Sequence, residues 1–144
     1  KRDSITPLRV GFLFQDFSLI QNSILNNIVL FSPPPHQHKK INQALASSGF
    51  AECMHKYGWN LNTRIGEEFS TGHGISMGEW QKLALARTLY HGQDVLILDE
   101  PETFLDVQSR ETLLNFLKNT KNLTIILISH AQEFRQIAHK IIQL

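Results

Sequence analysis

GISMGEWQKLALARTLY, from Gly74 to Tyr90, is followed after a short gap by DVLILDE, from Asp94 to Glu100. The first run joins a polar, glycine-bearing helix start to a long helix; the second is an apolar strand that ends on two carboxylates. First-turn N–H groups of a helix have no partner within it, and the macrodipole favours negative charge there. Ser76 and the amides that follow it therefore make an anion site. Asp99 and Glu100, at the end of the apolar run Val95 to Leu98 and ahead of the stiffening Pro101, suit a metal ion and a water. Helix start and strand end together describe a site for the terminal phosphate of a nucleotide.

Three further positions extend this pattern. Gln15 ends the apolar stretch Val10 to Phe14, and His130 follows the strand-like stretch Thr124 to Ser129. Open α/β sheets bind their ligands at such carboxyl ends of strands. Pro101 to Asp106, PETFLD, follows the two acids directly.

In this order the motifs resemble the nucleotide-binding domain of an ATP-binding cassette (ABC) transporter. The family signature Leu-Ser-Gly-Gly-Gln is matched by Ile75, Ser76, Met77, Gly78 and Glu79, and Trp80, Gln81 and Lys82 resemble the exporter-type subgroup. Val95 to Asp99 resembles the Walker B strand, Glu100 the catalytic carboxylate, Pro101 to Asp106 the D-loop, His130 the switch histidine and Gln15 the Q-loop glutamine. The resemblance implies an α/β fold: a P-loop NTPase-type parallel sheet flanked by helices, with a helical subdomain. Residues 1–19 would form the Q-loop strand and loop of the core, 20–82 the helical subdomain ending in the signature, and 83–144 the Walker B, D-loop and switch-histidine part.

The implied cofactors are ATP and Mg²⁺. Asp99 and Gln15 would hold the metal, Glu100 would polarise the attacking water and His130 would reach the γ-phosphate. Ser76, Met77, Gly78 and Glu79 would face a nucleotide held by another domain's phosphate loop, and Asp106 would communicate between the two sites. A second nucleotide-binding domain and the transmembrane domains of a transporter are the implied partners, at the cytoplasmic face of a membrane.

Some positions depart from the family. Met77 stands where glycine is usual, and its Cβ limits how closely backbone can approach a phosphate. Glu79 replaces glutamine, and Glu102 and Phe104 replace small residues. The sequence contains no G-x-x-x-x-G-K-[ST] phosphate loop: none of its eight glycines is followed by lysine. The expectation is a C-terminal part of a larger domain, inactive alone, because no lysine and loop amides hold the β- and γ-phosphates. The competing reading is a degenerate, non-catalytic cassette that lends its signature to a partner's ATP site.

Composition narrows the class. Among 144 residues, 42% are hydrophobic and 19% charged, which fits one folded domain. A net charge of +1 gives no basic field for nucleic acid. The chromosome-maintenance relatives of the family are disfavoured as well, since no heptad run is present. A single cysteine, Cys53, excludes an internal disulfide and reads as a small buried hydrophobe. No apolar run approaches the ~20 residues that span a bilayer, and no signal peptide opens the sequence. The other six histidines, His36, His38, His55, His73, His91 and His139, share no metal-ligand spacing with carboxylates.

Local patterns give the element order. Leu8 to Phe14 predicts a strand with Val10, Phe12 and Phe14 on one face. Helices are predicted over Ser23 to Leu30, stopped by Pro33 to Pro35, over Lys40 to Ser48, stopped by Gly49, and over Ala51 to Tyr57, stopped by Gly58. Asn60 to Gly74 reads as a loop. From Ser76 helices and strands alternate, which implies a parallel sheet. Phe134, Ile137, Ala138 and Ile141 predict a last helix, and Lys140 to Leu144 the start of another strand.

Overall fold

Alternation within the first strand decides which face of the sheet is buried. In the computed structural model, which describes residues 7–30, 37–66 and 74–142, β1 (Val10–Leu13) turns Leu13 inward and leaves Val10 and Phe12 exposed. β4 (Val95–Asp99) is the central strand, parallel to β1 on one side and to β5 (Thr124–Ile128) on the other, with Leu13 opposite Leu98 and Asp99 opposite Ile128. Leu13, Leu96 and Leu98 pack against α4 (Met77–His91), α5 (Val107–Asn119) and Phe134. The opposite face carries Phe12, Ile126 and Ile128 exposed, and the Phe12 and Phe14 rings stack at 5.2 Å. Parallel sheets are otherwise covered on both faces.

The second core is helical. α1 (Ile24–Val29), α2 (His38–Ser48) and α3 (Phe50–Tyr57) enclose Ile24, Ile28, Ile41, Leu45 and Phe50 against Trp80 and Leu83 of α4. Gly49 ends α2 and Gly58 ends α3, each in the left-handed conformation that a Cβ disfavours. α4 is the wall between the two cores: Trp80, Leu83, Ala86 and Tyr90 face the helices, Ala84 and Leu85 the sheet. It runs unbroken past residue 82, so sheet and helical cores share one rigid element. Arg87 on that helix donates to the Asn27 carbonyl at 2.8 Å, to Asn27 Oδ1 at 2.9 Å and to the Ser18 carbonyl at 3.3 Å, tying α4 to the segment after β1.

Three expectations change. The predicted loop from Asn60 contains β3 (Arg64–Ile65), paired antiparallel with β2 (Asn22–Ser23); strands of two residues show no periodicity in a sequence. The last helix is only α6 (Gln132–Arg135), followed by single turns at Ile137 and Ala138. Phe134 is buried and Ile137 packs on the sheet core, but Ile141 and Ile142 are exposed, so the rest of the stripe has no surface to fold against. Residues 140–142 accordingly form no strand. Pro33 to Pro35, His36, His73 and the last two residues of the predicted terminal strand lie outside the described residues. Among the described residues no helix is long and apolar enough to cross a membrane.

Candidate nucleotide site

Three parallel strands end on one edge, and each delivers a side chain there. β1 leads into Gln15, β4 into Asp99 and Glu100, and β5 into Ser129 and His130. Glu100 is their meeting point: Gln15 Nε2 donates to Oε2 at 3.3 Å, Thr103 Oγ1 donates to the same oxygen at 3.3 Å, and His130 Nε2 lies 3.3 Å from Oε1. Residues 85 and 30 positions away from Glu100 are thus brought to one carboxylate by the sheet alone.

The backbone at Glu100 is unusual. Its φ of 44° puts a non-glycine residue in the left-handed region, a conformation that costs on the order of 1–3 kcal/mol and collects at functional sites. It is held there by its N–H, which donates to the Ile128 carbonyl at 2.9 Å, and by a turn bond from the Thr103 N–H to its own carbonyl at 3.1 Å. The Glu100 side chain remains partly open, and the His130 imidazole is 91% exposed.

Among the described residues no three His, Cys, Asp or Glu side chains gather into a metal cage. Asp99 is half-buried at the strand end, and Gln15, whose amide nitrogen faces Glu100, keeps its carbonyl oxygen available. One carboxylate and one amide oxygen suit a hard cation that completes its shell with phosphate oxygens and water, so the donor set fits Mg²⁺.

The signature residues build a second locus. Ser76 caps α4: its Oγ accepts from the Glu79 N–H at 3.3 Å, while Glu79 Oε2 accepts from the Ser76 N–H at 2.8 Å, a reciprocal capping box. Tyr57 of α3 donates to the other Glu79 oxygen at 2.9 Å. Met77 is exposed at the first helical position. Asp106 caps α5, accepting from the Ser109 N–H at 2.8 Å. These two helix starts border a cleft of about 520 Å³ with Lys56, Lys82 and Phe104 on its walls. Phe104 is partly exposed and meets the Phe17 ring edge-on at 6.3 Å, so it is neither fully solvated nor core. Cys53, also on this cleft, is buried, and burial pushes its thiol up.

Gly78 is required by packing. A Cβ at this position would run into the Phe104 carbonyl oxygen, a backbone atom that cannot swing aside. Gly78→Ala should therefore force the start of α4 and the 101–106 loop apart, costing about 1–3 kcal/mol in urea unfolding. An alanine variant as stable as the wild type would show that the two segments are not in contact.

Both cap carboxylates hold depressed pKa values. Burial works against the charge on Glu79, but the hydrogen bonds from Ser76 and Tyr57 outweigh it; Asp106 is lowered by its hydrogen bonds with Ser109. Groups depressed on folding contribute stability that is complete above their unfolded value, near pH 4, and that is lost as pH falls through the folded value. Below about pH 4 both helix starts should loosen. Amide exchange at Ser76 and Ser109, whose N–H groups donate to the two carboxylates, should accelerate there beyond its intrinsic pH dependence, and unchanged protection would contradict the caps.

Of the residues singled out from sequence, Gln15, Glu100 and His130 converge, Asp99 stands beside them, and Ser76, Met77, Gly78, Glu79 and Asp106 belong to the second locus. Thr103 and Tyr57 had not been anticipated. Thr103 carried a faint signal, a hydroxyl three residues after Glu100; Tyr57 carried none, since its partner is 22 residues away.

Comparison with known proteins gives the family. The family model described as ABC transporter matches residues 1–103. The chain is 35% identical over 135 residues to the nisin transport ATP-binding protein NisT of Lactococcus lactis subsp. lactis, covering 92% of this chain and 22% of that protein. It is 32% identical over 135 residues to the alpha-hemolysin translocation ATP-binding protein HlyB of Escherichia coli O157:H7, covering 93% and 19%. With the macrolide export ATP-binding/permease protein MacB of Azoarcus sp. (strain BH72) it shares 30% identity over 154 aligned positions, covering 99% and 21%. A solved bacterial Atm1-family ABC exporter with ATP bound superposes with a TM-score of 0.72 at 25% identity, over 85% of this chain and 21% of that one. The chain spans about a fifth of the length of these relatives. With its parallel sheet, its strand-end carboxylates and its capped signature helix, this chain belongs to the ABC transporter family.

Proposed function

We propose that this chain is the C-terminal part of an ATP-binding and ATP-hydrolysing domain that powers an ABC exporter. The observation that carries the reading is the convergence of Gln15, Thr103 and His130 on Glu100 at the carboxyl edge of a parallel sheet. Exporter-type function is supported by the names of the relatives, which speak of transport, translocation and export.

In this reading Glu100 orients the attacking water and draws on its proton. Gln15 and Thr103 fix one carboxylate oxygen, so the other faces His130 and the reacting phosphate. Asp99 and the Gln15 carbonyl would hold Mg²⁺, which when bound neutralises charge on the β- and γ-oxygens. Ser76 and the first amides of α4 serve a different nucleotide, one held by the phosphate loop of a second domain. Residues 20–82 act as the helical subdomain against transmembrane domains, residues 1–19 and 83–144 as parts of the ATPase core, and the assembly works at the cytoplasmic face of a membrane. Asp106 lies beside the signature locus, where it can pass the state of one site to the other.

A second reading, a cassette that lends its signature without hydrolysing, is favoured by Met77 at the helix start and by Phe104 in the 101–106 loop. One experiment separates them: MgATP binding and turnover by this chain, alone and assembled with the polypeptide that carries the phosphate loop. Turnover in the assembly alone supports hydrolysis; binding without turnover supports the second reading.

A further inference from the structure

Packing cannot hold His130 in place, because its imidazole is almost entirely in solvent. Its position depends on the backbone at either side. Ser129 Oγ accepts from the Ala131 N–H at 3.0 Å, so the hydroxyl spans the histidine from the residue before to the residue after. That hydroxyl in turn donates to Glu102 Oε1 at 2.5 Å. Glu102 sits two residues beyond Glu100, in a loop closed by the Thr103-to-Glu100 and Leu105-to-Glu102 backbone bonds.

Glu102 is an expensive residue for a merely structural task. It is only 8% exposed, and its second oxygen, Oε2, is buried with no hydrogen-bond partner among the described residues. A buried acceptor without a donor destabilises a fold, and such violations gather where function requires them. The sequence places this carboxyl where the family usually has a small residue.

We propose that Glu102 is a positioning residue: through Ser129 it braces the His130 loop against the Glu100 loop and sets the approach of imidazole to carboxylate. The inference rests on the hydrolytic reading above. Glu102 touches neither the nucleotide nor the water in this scheme; it acts through the Ser129–Ala131 bridge. Misplacement of a reacting group by about 1 Å can cost on the order of 10²-fold in rate, and a loosened loop should cost somewhat less.

The test is made in the assembled ATPase, with the phosphate loop present. Glu102→Leu should lower kcat about tenfold with KM for ATP unchanged, leave the melting temperature the same or higher, and remove the slow exchange of the Ala131 amide. Glu102→Gln, which keeps an acceptor for Ser129, should retain most of the turnover. Ser129→Ala should reproduce the loss, and the double variant should be no worse than either single one. Unchanged kcat in Glu102→Leu overturns the inference; so does a kcat loss that comes with a lowered melting temperature, or a Glu102→Gln variant as impaired as Glu102→Leu. Failure of the underlying reading shows separately: an assembly without turnover, or with turnover that survives Glu100→Gln, removes the hydrolytic role on which the brace depends.

Discussion

Glu100→Gln should reduce ATP turnover of the assembled domain by about 10²–10⁴-fold, the range expected when a positioned base is lost, while MgATP still binds. Glutamine keeps the length and shape of the side chain, so the left-handed turn at this residue and the ladder bond to Ile128 are preserved. Its one oxygen can accept from Gln15 and Thr103 as Oε2 does now. What is lost is the second oxygen, the one beside His130, and with it the capacity to draw a proton from water. Phosphate release and nucleotide binding, measured on the same preparation, distinguish this from unfolding. Turnover within threefold of the wild type would assign the chemistry to another group and leave Glu100 a loop residue.

The largest effect on stability is expected at Arg87→Met. Asn27 is fully buried and its side-chain amide donates to the Ile20 and Ser23 carbonyls, at 2.8 and 3.1 Å; its own carbonyl and Oδ1 are both satisfied by Arg87. Burial pushes the Arg87 guanidinium below its ordinary value, yet with two close acceptors it remains the donor this pocket requires. Methionine fills similar space with no donor and strands both acceptors of the buried Asn27, while the exposed Ser18 carbonyl turns to water. At roughly 1–3 kcal/mol for each orphaned group, and with partial access of water, a loss of about 2–4 kcal/mol is expected in urea unfolding. The ties lost link α4 to α1 and, through Ser18, to the segment that precedes it, so the signature helix, α1 and that segment should loosen together, visible as faster amide exchange in all three. A loss below about 0.5 kcal/mol, the size of an ordinary surface substitution, would mean that water replaces Arg87 freely.

Much of this molecule is legible in its amino-acid sequence. Ser76, Glu79 and the run behind them specify a capped helix, because the capping box is local chemistry spanning three residues. Gly49 and Gly58 mark helix ends for an equally local reason. The apolar run before Asp99 and the stretch before His130 specify strands that are parallel once helices intervene. The misjudged segments lacked local support. β2 and β3 exist only through their pairing with each other, and α6 stops after four residues because Ile141 and Ile142, although correctly spaced, find no apolar surface.

The sequence alone thus determined the order of the longer helices and strands, the family and the chemical kinds of group available to a nucleotide. Only the tertiary structure decided which groups meet. Parallel pairing in register brings Gln15 and His130 to Glu100, close approach at Gly78 lays the 101–106 loop against the signature helix, and a buried Glu102 reaches Ser129 across two strand ends. Caps and periodicities act over a few residues and leave their mark in sequence; contacts across 22 to 85 positions are made by the sheet and the shared helix, and no short pattern records them.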